Sequence, residues 1–284
     1  MSASNNLLSL TFILGAMDPE MAEIKNILLG LGCTIVGPLE GRTAPLDAYK
    51  LDRAPASNEV YVECAPLNGG KVAIKAAGAR IVDHHFAGDP GFGVGPRDAY
   101  KASSIGQIVA LLRELGVDDI DLPNDSWHPG ALGTPKLVLI GERDHSLAAW
   151  VAGNCLTPRE IARNVYVASL SPAAQALLPE ALALLEAAPL LEGTQIRDIR
   201  NYPELTPTGR LGAAFVPASI LAGVPYVGWG AQGVTEKGRH ISAGGAGEGS
   251  PVGVIAWKPL LAAMGAVGVF GDDIRGFAGG YIPQ

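Results

Sequence analysis

Apolar and polar positions along this chain follow two textures, and the change between them divides it. Leu7–Leu14 is a mostly apolar run of strand length. Pro19 then opens a helix to about Leu31, since a proline in the first helical turn lacks only an N–H that would be unpaired there anyway. Gly32 closes that helix, and Thr34-Ile35-Val36 reads as a second strand. Residues 37–58 are polar and proline-containing, a loop. Glu59–Cys64 and Arg80–Val82 are two further short β-like runs. Ser103 can cap a helix carrying Ile105, Ile108, Leu111, Leu112 and Leu115 at helical spacing. After a loop over 117–134, Lys136–Ile140 reads as a strand and Asp144–Gly153 as its helix. Strands alternating with helices predict an α/β domain with a mostly parallel sheet over residues 1–155. Residues 156–191 are helical in pattern, with Ser171–Glu186 rich in Ala and Leu, and read as a linker. From 192 to 284 glycine-rich loops carry short apolar runs, which predicts a smaller α+β domain.

Composition narrows the classes. Hydrophobic residues make up 48% and charged residues 17%, so most of the chain is expected to pack. A net charge of −7 argues against duplex nucleic acid, whose binding relies on basic patches, but leaves room for a small phosphorylated or nucleotide ligand in a local pocket. Cys33, Cys64 and Cys155 are odd in number and lack CxxC spacing, as expected of buried thiols in a reducing compartment. The apolar run near the N-terminus has no basic stretch before it, and no 18 apolar residues run uninterrupted. A cytoplasmic protein without a membrane span is the expectation. P-loop and Gly-x-Ser-x-Gly motifs are absent, and Gly244-Gly245-Ala246-Gly247 lacks the strand-to-helix setting of a dinucleotide fingerprint.

The chemistry concentrates after the expected strands. Asp83-His84-His85 holds two of the five histidines, and imidazole with carboxylate is a ligand mix for Mn²⁺, Fe²⁺ or Zn²⁺. Asp18 and Glu20 follow the first strand, Glu63 follows Val60-Tyr61-Val62, and Asp144-His145 comes after Lys136–Ile140. Successive strand ends of a parallel sheet meet at one edge. Carboxylates gathered there repel one another unless a cation sits among them. Each group also has a plain reading. Asp18 and Glu20 suit the start of a helix dipole; Glu63 and Asp144 suit solvated loops; Asp83-His84-His85 suits a surface turn. His145 reads equally well as a hydrogen-bonding neighbour of the site, and His128 as a loop histidine.

The order of these motifs resembles the DHH phosphoesterase superfamily, which includes RecJ-like nucleases, nano-RNases, cyclic-dinucleotide phosphodiesterases and manganese pyrophosphatases. Gly15-Ala16-Met17-Asp18-Pro19-Glu20-Met21-Ala22, Val62-Glu63-Cys64, Val82-Asp83-His84-His85 and Glu142-Arg143-Asp144-His145 stand in the family's order over roughly residues 7–150. Ala102-Ser103-Ser104 is similar to the family's Ala-(Ser/Thr)-Ser. Two ligand positions of the first motif are Ala16 and Ala22, the third is Glu20, and the second motif's Asp is Glu63. The resemblance implies a Mn²⁺-dependent, or other divalent-metal, hydrolase of a short oligonucleotide or nucleotide-like phosphoester, possible also as a homodimer. By that analogy Glu63, His84 and Asp144 hold one ion, and Asp18 or Glu20 substitutes in the first motif. Asp83 fixes an imidazole tautomer from behind, while His85 and Arg275 offset phosphoryl charge. The family's C-terminal domain binds substrate, which points to Arg239, His240, Arg275, Gly276, Gly279 and Gly280, with the site in the cleft between domains. The alternative is a non-catalytic relative that binds a nucleotide or a partner after losing the paired metal site.

Overall fold

A computed structural model describes residues 3–37, 54–117, 136–245, 254–272 and 276–283. The chain packs as two units: residues 1–94 with 98–145, and residues 95–97 with 146–284. The first is α/β and the second α+β.

In the first unit the strands β1 (Thr11–Leu14), β2 (Thr34–Val36), β3 (Glu59–Val62) and β4 (Arg80–Val82) form one parallel sheet in the order β2-β1-β3-β4. Every residue of β3 is buried, as a strand covered on both faces requires. On one face Phe12, Leu14, Val60 and Val62 meet Met21, Ile24, Ile27 and Leu28 of α2 (Pro19–Gly30). On the other, Ile13, Tyr61 and Cys64 meet Ile74 of α3 (Gly70–Ala76). The register aligns Leu14 with Val62 and Val62 with Val82, so three strands end at one level. Gly15, Glu63 and Asp83 therefore leave the sheet side by side.

Two expected strands come out otherwise. Leu7 belongs to a short helix, Ala3–Leu8, which ends in a turn where Leu10 N–H donates to Leu7 O and Ser9 Oγ to Asn6 O. Lys136–Ile140 is helical, not β. It opens a 17-residue helical stretch, α4 (Lys136–Ala152), broken at Ser146 (φ −145°, ψ 53°), where the chain passes between units. An apolar run of four cannot be told from a buried helix by periodicity, and Leu137 reaches the same core from a helix. The expected loops over 37–58 and 117–134 fall almost wholly outside the described residues.

The second unit takes in the helices α5 (Arg159–Ala168) and α6 (Pro172–Ala187), the stretch read as a linker. Its sheet runs β5 (Arg197–Asp198), β6 (Tyr226–Thr235), β7 (Gly238–Gly244), β9 (Phe277–Ile282), β8 (Val267–Asp272), with only β5–β6 parallel. Ala181 and Leu185 of α6 pack with Ala214, Phe215 and Ala218 of α7 (Gly212–Ala222). Trp257 and Leu261 of α8 (Trp257–Ala263) pack on Val227, Ile241 and Ala243. Trp257 is fully buried, so Trp257→Ala is expected to destabilise this unit by about 3–5 kcal/mol, measured by urea unfolding. Among the described residues no single helix is long and apolar enough to cross a membrane.

Candidate metal centre

Local geometry at the sheet edge delivers each side chain. Asp18 is the N-cap of α2: its Oδ1 accepts from Met21 N–H at 2.7 Å. Two residues on, Glu20 is buried (1% exposed), an unusual state for a glutamate in a first turn. Its Oε1 accepts from Ile105 N–H at 2.9 Å, satisfying an amide at the start of the helix Ser104–Glu114. That helix is capped by Ser103, whose Oγ accepts from Gly106 N–H. Glu20 Oε2 is buried with no hydrogen-bond partner. Glu63 adopts φ 51°, the left-handed region that a non-glycine residue seldom occupies. Gly15 lies against it so closely that a Cβ there would stand 2.6 Å from Glu63 O.

Glu20 and Glu63, but not Asp18, join Asp144 around His84, which is fully buried. Its Nε2 lies 3.1 Å from Asp144 Oδ2, 3.2 Å from Glu63 Oε1 and 3.8 Å from Glu20 Oε2. One ligand atom from each of Glu20, Glu63, His84 and Asp144 lies within 4.8 Å of the others, and Glu63, His84 and His85 form an overlapping set. Asp144 comes from a helix rather than a strand end. Gly141, three residues before it, lets that helix approach: a Cβ there would lie 2.4 Å from Ser103 Oγ.

The residues fit a divalent cation. Donors about 2.1 Å from a common ion lie about 3.0 Å apart when they meet at right angles, close to the His84–Asp144 and His84–Glu63 separations. Burial, then the charges of Asp144 and Glu63, hold the Glu20 carboxyl well above the usual range. Burial, then Glu63, pushes Asp18 up to about 6. Such crowding of acids, with a buried oxygen lacking a donor, is what a cation relieves. Glu20→Gln keeps the size and the Ile105 bond while removing the charge. In metal-free protein it is expected to raise the melting temperature by about 2–4 °C, as about 1 kcal/mol does for a chain this long, and to weaken metal-induced stabilisation. Calorimetry with and without chelator reads both changes.

Asp83 stands behind this cluster. It is 1% exposed and accepts from His84 N–H at 2.7 Å, His85 N–H at 3.1 Å and His85 Nδ1 at 2.8 Å. Lys71 Nζ bridges it to Asp89, at 2.7 and 2.6 Å. Burial alone would raise the Asp83 carboxyl; the bonds from His85 and Lys71 override it and hold the group well below the usual range. Asp83 thus sets the tautomer of the partly exposed His85. The Nδ1 of His84 is instead met by His145 Nδ1 at 2.9 Å. Gly91 donates its N–H to Asp83 O, and a Cβ on it would stand 2.0 Å from Ala102 O and 2.8 Å from His84 Cβ. The glycine-rich stretch after His85 thus begins with a residue that must be small to let His84 in.

The C-terminal candidates occupy the second unit. Arg275 lies outside the described residues, as does His128. Gly276, at φ 80°, turns the chain into β9. Gly279 and Gly280 sit inside β9, opposite Ser242 and Ile241 of β7, with β8 on the other edge. Both are paired within the sheet rather than placed in a loop. They supply clearance there. A Cβ on Gly279 would meet Phe270 at 2.4 Å and His240 Nε2 at 3.1 Å, and one on Gly280 would meet Ala266 Cβ at 3.2 Å. His240 is 8% exposed, Gln232 N–H donates to its Nδ1 at 3.4 Å, and its Nε2 is without a partner. Arg239 stacks on Trp229, guanidinium carbon 3.9 Å from the ring centre.

No family model matches the chain, and no curated protein matches it. In structure the chain is similar to the pGpG-specific phosphodiesterase PggH from Vibrio cholerae, over 97% of this chain and 93% of that one, at 10% identity and a TM-score of 0.42.

Proposed function

We propose that the chain is a divalent-metal-dependent phosphoesterase of the DHH type, acting on a short oligonucleotide or nucleotide-like phosphoester. The observation that carries this reading is the convergence of Glu20, Glu63 and Asp144 on His84 Nε2, in the family's motif order. Those four residues would hold the ion, with Mn²⁺ the first choice for an oxygen-rich set completed by one imidazole. Such an ion supplies Lewis acidity toward a phosphoryl oxygen and toward water.

The remaining steps fall to the chain itself. His85 is pinned through Nδ1 to Asp83, which leaves Nε2 as its free nitrogen. Protonated, that atom can offset charge on a phosphoryl oxygen and pass its proton to the departing oxygen. Asp83 keeps the ring from rotating. In the second unit, the exposed Arg239 guanidinium is a described group suited to a nucleotide's polar edge. The test is turnover of a panel of linear dinucleotides, pGpG among them, by protein stripped of metal and then reloaded with Mn²⁺. Release of mononucleotide that depends on Mn²⁺ is the expected outcome; metal uptake with no turnover on any substrate sinks the catalytic reading. Ala16 and Ala22 in the first motif favour a second reading, a nucleotide-binding protein without turnover. Stoichiometric dinucleotide binding in that same inactive protein is its signature.

A further inference from the structure

His145 follows the proposed ligand Asp144 and is 1% exposed. Its Nε2 lies 3.0 Å from Val94 O. A carbonyl oxygen can only accept, so this nitrogen carries a hydrogen. On the other side of the ring, Nδ1 lies 2.9 Å from His84 Nδ1, a distance at which two nitrogens share one hydrogen. Neutral His145 has already placed its hydrogen on Nε2, so its Nδ1 is a bare lone pair. The shared hydrogen therefore belongs to His84. His84 Nε2 stands within hydrogen-bond distance of Glu63 Oε1 at 3.2 Å and Asp144 Oδ2 at 3.1 Å, with Glu20 Oε2 at 3.8 Å, and a neutral ring whose hydrogen sits on Nδ1 has none to offer these acids. A nitrogen lone pair facing three carboxylates is repelled by all of them, and a cation between them reverses the sign.

We infer that His145 is a positioning residue: held by the Val94 carbonyl, it fixes His84 in the tautomer protonated at Nδ1 and so turns the Nε2 lone pair toward a divalent ion. This rests on the metal site proposed above. It gives His145, beside the fourth motif's Asp144, a defined partner and a direction set by this chain's own backbone. Metal-ligating histidines generally need their second nitrogen anchored, most often by a carboxylate or a carbonyl. Here Asp83, adjacent in the chain, is committed to His85, and the anchor is a second imidazole whose own direction is set by Val94. Rotating or removing that ring would free His84 to take its hydrogen on Nε2, where it blocks the ion.

The experiment uses the full chain, labelled with ¹⁵N and loaded with Zn²⁺ as a diamagnetic probe. Long-range ¹H–¹⁵N spectra assign the protonated nitrogen of each histidine. The expected result is His84 protonated at Nδ1 and metal-bound at Nε2, with His145 protonated at Nε2. His84 bound through Nδ1, or His145 protonated at Nδ1, overturns the inference without any variant. His145→Phe keeps the ring's volume and removes both bonds, and is expected to weaken Zn²⁺ and Mn²⁺ binding by about 10–100-fold in chelator competition. His145→Asn can still accept from His84 and donate to Val94, and should bind within a few-fold of wild type. A folded His145→Phe protein that binds as tightly as wild type overturns the positioning role and leaves the metal site standing. A wild-type chain that takes up no metal overturns both.

Discussion

Replacing His84 with alanine is expected to abolish stoichiometric divalent-metal binding. Outer partners of a metal ligand are commonly worth 10–100-fold in affinity, so removing the ligand itself should weaken binding by at least about 100-fold. The loss should exceed that of any single carboxylate, because His84 supplies the one imidazole of that four-residue set and lies 3.1–3.8 Å from all three acids. Its removal also leaves three acids facing a hole. Metal content measured by mass spectrometry after manganese loading and gel filtration reads the effect directly. Retention of a full complement of metal in His84→Ala would place the ion elsewhere.

Asp83→Ala is expected to be the most damaging substitution for folding among the residues of the motif. The carboxylate holds two backbone amides, the His85 ring and one arm of Lys71, all around a side chain that is 1% exposed. Truncation strands the amides and leaves Lys71 leaning on Asp89 alone. Breaking a buried ion pair from one side is commonly worth 3–5 kcal/mol; because Asp89 remains, about 3 kcal/mol is the expected loss. Urea unfolding in the presence of chelator isolates this from metal effects. Asp83→Asn, which keeps the shape and an acceptor oxygen, should fall between the two. A loss below about 1 kcal/mol for Asp83→Ala would mean that the loop is held by Gly91 and Gln107 instead, whose bonds to the Asp83 carbonyl do not need the side chain.

Much of the first unit was legible because its signals are local. Thr34–Val36 and Arg80–Val82 form strands with the expected bounds. Pro19 and Gly32 bracket α2 as their backbone preferences dictate, Gly32 taking φ 74°. Ser103 caps its helix. Lys136–Ile140 was not legible, since an apolar run of that length serves a strand or a helix equally and the choice was made by the core around it. The helix Gly70–Ala76 follows a left-handed Gly69 that caps it without a side chain, which leaves no capping signature to read.

The site was legible by motif more than by physics. Nothing local distinguishes Glu20, buried and aimed at His84, from the solvated first-turn glutamates of many helices; its Ile105 partner lies 85 residues away. The anchoring of His84 by His145 is equally remote from sequence, because it needs a backbone carbonyl 51 residues earlier. Glycines of the C-terminal stretch suggest a phosphate loop by composition. Only the register of β7, β8 and β9 reveals that they make room for His240 and Phe270.

Glu63 carries one more consequence. A glutamate at φ 51° is held in a conformation that its own backbone disfavours, and its carboxylate is held among others that repel it. A cation in the proposed site would offset the repulsion, while the backbone conformation has to be held by the packing around it. On the proposed metal site, folding of this edge and ion capture would be two views of one linked equilibrium, in which each tenfold rise in free metal above its dissociation constant adds about 1.4 kcal/mol to stability. A chain with that site would report the metal supply of its surroundings through its own lifetime.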